Sequence, residues 1–326
     1  MKNKKIYLII IAVLVVGAVV FYLASKKDSD STNNNPVVYF NPSGEGISYN
    51  TKTGQVESYN PETDTYKSIY DLSGQDPLYL EISPDQKSFF FAADPNAGLD
   101  TVKFNPDSEN ITVKSLGSNF NDITKNSIFS PHWLNDTSVI YQALPPDGKG
   151  EIVVLSVTSG KILKQIPIGD ENPNEIGILD DSHVIITPFA SDVSENNSSI
   201  INLSTGAKTN FVSGNGLRVK TIPQSKYVAY QTVTDNGQPK TKLVEWSNRT
   251  TVLEFDKSLE NIVWTSDSKK IYFIKTTQLL SFDPVTKTEK PVKDLGNVNV
   301  VGMQILQGEN KVLVQTDSAK QIIPTN

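Results

Sequence analysis

A β-propeller, a ring of four-stranded antiparallel sheets, is the fold class that this 326-residue sequence predicts. Three observations point to it: one stretch reads as four short strands with turns between them, two turn signatures recur along the chain, and their spacing matches one blade per repeat. The stretch is Asn261 to Val292. Asn261 to Trp264 predicts a first strand and Ile271 to Ile274 a second, rich in β-branched and aromatic residues. Leu279 to Phe282 predicts a third, and the residues near Pro291 a weak fourth. A lone sheet of this size buries too little apolar surface to stand in water, so it implies copies of itself beside it.

The first signature follows apolar runs at Asn60 to Thr63, Asn105 to Ser108, Ser156 to Ser159, Asn202 to Thr205, Ser247 to Thr250 and Asp283 to Thr286. Each is an Asn, Asp or Ser, two free positions, then Ser or Thr. The leading side chain can accept a hydrogen bond from the backbone two residues on, which starts a tight turn. Gly160 and Gly206 follow directly, as a turn needing positive φ requires. The successive gaps of 45, 51, 46, 45 and 36 residues match the period of a blade.

The second signature lies upstream: Leu78 to Ile82, then Ser83, Pro84, Asp85, Gln86 and Lys87, then Phe89 to Phe91. The same strand, turn, strand order recurs at His132 to Tyr141, Ile176 to Ile186, Leu217 to Tyr230, Val263 to Phe273 and Val300 to Val314. On these residues the chain resembles the WD40-like (PD40) repeats of TolB-type propellers, whose motif is an aromatic, Ser-Pro-Asp-Gly-Lys, then an apolar strand. Gln86 and Ser268 depart from it, standing where that family prefers Gly. The resemblance covers residues 37–326 as architecture and implies no catalytic residue, because the motif is a turn.

Third strands are expected at Val56 to Tyr59, Val102 to Phe104, Ile152 to Leu155, Ile200 to Asn202, Leu243 to Trp246, Leu279 to Phe282 and Gln321 to Ile323, which gives seven blades. Six is the alternative, since Gly46 to Ile69 can be divided in more than one way. Val37 to Phe40 either closes the ring by joining the last blade or is the innermost strand of the first.

Ahead of the ring, residues 6–25 are expected to form a transmembrane helix. Ile6 to Ala24 carries no charge, and 19 residues of helix at 1.5 Å each nearly match a bilayer core of about 30 Å. Lys2, Lys4 and Lys5 precede it and Lys26 and Lys27 follow, so the positive-inside bias puts residues 1–5 in the cytoplasm and the rest outside. The rival is a cleaved signal peptide; Tyr22 stands where its small-x-small site wants a small residue. Residues 26–36 are polar throughout and are expected to be a flexible tether, leaving 37–326 as the propeller. The expected location is therefore the cell membrane, single-pass, with the propeller extracytoplasmic.

Beyond the membrane the charge is 25 basic against 36 acidic residues over 28–326, about −11, which argues against nucleic acid or anionic lipid as a partner. The absence of cysteine excludes disulfides, thiolate metal sites and a thiol nucleophile.

No catalytic, cofactor or metal site is assigned. His132 and His183 are the only histidines, in different repeats, and His132 beside Trp133 reads as structural. Asp180 to His183 gathers acid, hydroxyl and imidazole, but at the position of a blade turn. Pro145 to Gly150 lacks the spacing of a phosphate loop. Asp94 to Asp100 offers oxygens without a full calcium loop, and Asp235 to Gly237 reads as a hairpin turn. Phe89 to Phe91, Trp133, Trp246 and Trp264 are expected in the core. Glycosylation sequons at Asn110, Asn135, Asn196, Asn197, Asn202 and Asn248 are ordinary in a chain so rich in Asn, Ser and Thr. No acid recurs outside the turns. The expected function is a non-enzymatic module binding an envelope or cell-surface protein, or a glycan; the alternative is a hydrolase or lyase at the channel mouth.

Overall fold

The computed structural model describes residues 38–40, 46–61, 63–72, 77–93, 110–115, 120–122, 127–144, 149–169, 174–188, 195–306 and 310–325. They form seven antiparallel sheets, and no α-helix occurs among them. No helix among the described residues is long and apolar enough to cross a membrane; Ile6 to Ala24 and residues 26–36 lie outside them.

The first sheet holds β1 (Val38–Phe40), β2 (Gly46–Asn50), β3 (Gln55–Asn60) and β4 (Thr65–Asp71), and the second β5 (Pro77–Ile82), β6 (Ser88–Ala93), β7 (Asn110–Ser115) and β8 (Phe120–Asp122). The third holds β9 (Ser127–Asn135), β10 (Ser138–Leu144), β11 (Glu151–Ser156) and β12 (Ile162–Pro167), and the fourth β13 (Asn174–Asp180), β14 (His183–Pro188), β15 (Glu195–Asn202) and β16 (Lys208–Asn215). The fifth holds β17 (Arg218–Thr221), β18 (Tyr227–Val233), β19 (Pro239–Glu245) and β20 (Thr250–Phe255). The sixth holds β21 (Ile262–Trp264), β22 (Ile271–Lys275), β23 (Gln278–Asp283) and β24 (Thr288–Asp294), preceded by a 3-10 turn at Leu259–Asn261. The seventh holds β25 (Val300–Ile305), β26 (Lys311–Thr316) and β27 (Lys320–Pro324), with no fourth strand among the described residues.

Seven blades are therefore present, and the six-bladed division is excluded. β1 pairs with β2, Tyr39 opposite Ile47, so Val38 to Phe40 belongs to the first blade and is not lent to the last. The second blade also corrects the expected third strand: β7 at Asn110–Ser115 pairs with β6, not Val102 to Phe104, which lies outside the described residues with Asn105 to Ser108. Ile111 and Val113 bury the alternating face that seats this strand. In the sixth blade the first strand starts at Ile262, because Asn261 closes the 3-10 turn.

Burial follows position in the ring. First strands of successive blades lie side by side around the axis. Second strands such as β10 and β22 are covered on both faces by neighbouring blades and so read as unbroken apolar runs. Outer strands such as β12 and β24 are mostly exposed. The core divides by seam. One apolar cluster joins blades one and two, through Ile47, Leu80 and Phe91, and another joins blades two and three, through Phe90 and Trp133. Others join blades three and four, four and five, and five through seven. Each fully buried Ile, Val or Phe contributes about 1.5–3 kcal/mol. No such cluster joins blade seven to blade one among the described residues.

The turn signatures behave as their chemistry requires. Asn202 Oδ1 accepts from the amides of Ser204 and Thr205, and Asp283 Oδ1 from those of Val285 and Thr286. At Ser247 to Thr250 the capping side chain is instead Asn248, which accepts from the Thr250 amide. In the other signature, Ser83 Oγ donates to Asp85 at 2.7 Å, and Thr265 Oγ1 donates to Asp267 at the same 2.7 Å. Gln86 and Ser268 have φ of 58° and 60°, the left-handed conformation that explains why glycine suits the position.

Candidate functional site

A meander that begins innermost divides its connections between the two faces of the ring. Turns from first to second strand and from third to fourth fall on one face, and both repeated signatures lie there. The other face carries the links between blades and between second and third strands. Between second and third strands the sequence runs 16 residues in the second blade and six in each of the third and fourth, against two, 276–277, in the sixth. Longer connections on a rigid scaffold are where binding residues concentrate.

First strands start at this face, and they bring charged side chains round the axis. Glu81 on β5 binds His132 on β9, with His132 Nδ1 2.8 Å from Oε2. The Trp133 amide donates to the same carboxylate at 3.2 Å, and the Trp133 indole N–H to the Glu81 carbonyl at 3.1 Å. Burial works against the His132 imidazolium, but Glu81 outweighs it and holds the ring above its ordinary value. Two first strands further round, Arg218 on β17 pairs with Glu260 of the 3-10 turn at 2.7 Å. Burial pushes the Glu260 carboxyl up, Arg218 outweighs it, and the net shift is down.

Lys220, two residues along β17, donates to the carbonyl of Ile262 at 2.7 Å and reaches toward that of Met303 at 3.5 Å, tying blade five to blades six and seven. Burial lowers its ammonium to about 8, Glu260 opposing and Arg218 assisting. Glu175 on β13 meets solvent in the channel, yet the surrounding walls desolvate its carboxyl and push it up against the pull of Arg218 and His132. Glu175, His132 and Lys220 line one cavity of about 190 Å³, with Gly177, Thr187 and Thr221.

The acids Glu81 and Glu175 thus stand on first strands, correcting the expectation that none recurs outside turns. His132, read from the sequence as structural, ties β9 to β5 through Glu81 and also lines the channel wall. Asp180 and His183 form a local turn pair at 3.0 Å, with Asn202 Nδ2 3.0 Å from the other ring nitrogen and Trp246 packed beside it. Ser182 gives Asp180 only its backbone amide, so no nucleophile chain is assembled. Phe89 to Phe91, Trp133 and Trp264 are buried, whereas Trp246 is partly exposed. Asp235 to Gly237 is a hairpin turn with Gly237 at φ 73°. Asp94 to Asp100 lies outside the described residues. No group of three metal-ligating side chains occurs among the described residues.

A chain in the crystal structure of a mitotic checkpoint complex superposes on this one with a TM-score of 0.57, covering 89% of this chain and 86% of that chain. The likeness is one of fold. Sequence identity is 8%, so no residue role transfers. No protein-family model matches the chain, and no curated protein matches it.

Proposed function

We propose that the chain is a membrane-anchored, extracytoplasmic propeller of the TolB-like repeat kind, whose face of interblade links docks an envelope or cell-surface protein. The anchor reading rests on the uncharged run Ile6 to Ala24 and on the lysines before it. The docking reading is carried by one observation: Leu78, Val298 and Val301, exposed by 40%, 40% and 47%, all sit at or just before the start of first strands. They belong to blades two and seven, and Glu260, in the 3-10 turn that packs against β25, pairs with Arg218 beside Val301. Aliphatic anchors rimmed by charge suit a protein partner.

The test compares faces. Leu78→Asp and Val301→Asp in the full chain are expected to lose a partner captured from envelope extract. Val285→Asp, at an 86% exposed residue in a turn of the opposite face, is expected to keep it. Loss of the partner with Val285→Asp alone, or retention with all three variants, overturns the reading.

A second reading, a hydrolase or lyase at the channel mouth, has one observation in its favour. A carboxyl with raised proton affinity, Glu175, and an ammonium with lowered proton affinity, Lys220, line the same cavity. Turnover of a substrate by the full chain, abolished by Glu175→Gln, is the result that selects it.

A further inference from the structure

We infer that the axial cavity between blades three, four and five is a binding site for a primary ammonium group, received by the carboxylate of Glu175. The inference goes beyond protein docking at the rim and concerns the interior of the channel. Three carboxylates stand near the axis, and two are committed: Glu81 to His132 and the Trp133 amide, Glu260 to Arg218. The Glu175 carboxylate has neither a hydrogen bond nor an ion pair among the described residues, its ladder pairing with Thr187 being backbone alone.

Arg218 and His132 act on Glu175 only at a distance, and each cation of the wall has another partner in contact. His132 is held by Glu81 at 2.8 Å, Arg218 by Glu260 at 2.7 Å, and Lys220 by the Ile262 carbonyl at 2.7 Å. The group left over is therefore an acceptor of charge-assisted hydrogen bonds, the chemistry an ammonium supplies with three donors.

The space beside Glu175 is built into the fold. Gly177, on the same face of β13, lets Thr221 and Ile185 close directly on the strand and fix the wall, since a Cβ there would lie 2.7 Å from Thr221 Cγ2 and 2.9 Å from Ile185 Cγ2. The opening of about 190 Å³ is lined by Ile185 and Val219 as well as by Thr187 and Thr221. A small aliphatic chain thus has apolar wall to lie on while its charged end meets Glu175. A bare metal ion is a poorer fit, since it needs several oxygen ligands and one free carboxylate is present. The acidic excess of the outer domain, 36 against 25, adds a long-range attraction for cations within the reach that salt allows. The ammonium can come from a free amine or from a lysine side chain offered by a docked protein.

The test is titration of the full chain in detergent solution, following the backbone amide resonances of Gly177 and Thr221. Probes are n-butylammonium, Nα-acetyl-lysine methylamide, butan-1-ol and butyrate. n-Butylammonium is expected to shift both resonances saturably, with affinity at least tenfold weaker in Glu175→Gln and no displacement by the alcohol or butyrate. Tighter binding of the lysine derivative assigns the source to a partner's lysine; binding of n-butylammonium alone assigns a free amine. Equal affinity of wild type for n-butylammonium and butan-1-ol overturns the inference, even if Glu175→Gln fails to fold. Displacement by butyrate, unchanged affinity in folded Glu175→Gln, or no binding of either amine does so as well. None of these outcomes touches Leu78 or Val301, so rim docking stands or falls separately.

Discussion

Lys320 of the seventh blade lies over the ring of Tyr59 at 4.7 Å and donates to the hydroxyl of Tyr66 at 3.2 Å, both in the first blade. Tyr59 and Tyr66 pack against each other at 4.9 Å, and the Tyr59 hydroxyl donates to Asp64 at 2.9 Å. One lysine thus joins the two ends of the ring where no buried apolar cluster does among the described residues. Contact with an aromatic face and a hydroxyl gives about 1–2 kcal/mol in a partly desolvated site. Lys320→Ala is expected to lower unfolding free energy by about that amount. Hydrogen exchange is expected to rise first in β27 and β4, which locates the loss at this seam. Uniform acceleration over all seven blades contradicts it.

How much of this was readable beforehand depends on whether the signal was local. Ile271 to Lys275 declares itself as a strand by composition, and Ser83 to Lys87 as a turn, because both depend on neighbours in the chain. The third strand of the second blade was misplaced because Val102 to Phe104 looks as strand-like as Ile111 to Val113, and the turn signature at Asn105 favoured the wrong one. The axial charges carry a weaker signal. Glu175 and Lys220 resemble ordinary polar positions on half-exposed strands, and only the ring's curvature turns them toward one cavity. A polar residue repeated at inner-strand positions, as in Glu81, His132 and Glu175, was the available clue. Lys320 and Tyr66 are 254 residues apart, so no local pattern could pair them.

Gln86 and Ser268 share a left-handed backbone yet should respond oppositely to glycine. Gln86 is exposed, so Gln86→Gly removes conformational strain of about 1–2 kcal/mol and returns part of it as chain entropy. A net gain of up to about 1 kcal/mol in urea unfolding is expected. Ser268 is buried and its hydroxyl meets Ser225 Oγ at 2.8 Å and accepts from the Lys226 amide at 3.0 Å. Ser268→Gly strands those groups between blades five and six and is expected to cost about 1–3 kcal/mol despite the relief of φ. Equal effects of the two substitutions would show that the inter-blade hydroxyl contributes nothing.

The Glu81 and His132 pair predicts a pH dependence of defined sign. The folded-state value of His132 is raised, so its contribution is fully present below the unfolded value of about 6.5. It is lost as pH rises through the folded value. The stability difference between wild type and His132→Gln, measured by urea unfolding, is therefore expected to be larger at pH 6 than at alkaline pH. A difference that grows with pH instead means that burial, not Glu81, governs the imidazole.

Lys220 acts over the opposite window and with opposite sign. Its folded value, about 8, lies below the unfolded value near 10.5, so between them the native state holds fewer protons than the unfolded chain. Stability is then expected to rise on going from pH 8 toward pH 10.5, recovering at most on the order of 3 kcal/mol of desolvation cost at this half-buried site. Lys220→Met should abolish the rise while leaving the Ile262 carbonyl without its donor. Its effect near neutral pH is thus the balance of a removed buried charge and an orphaned acceptor. The difference between the two proteins, followed by urea unfolding across that window, isolates the lysine from other alkaline titrations. A wild-type curve parallel to that of Lys220→Met would place the ammonium in water, contrary to its position between the inner strands of blades five, six and seven.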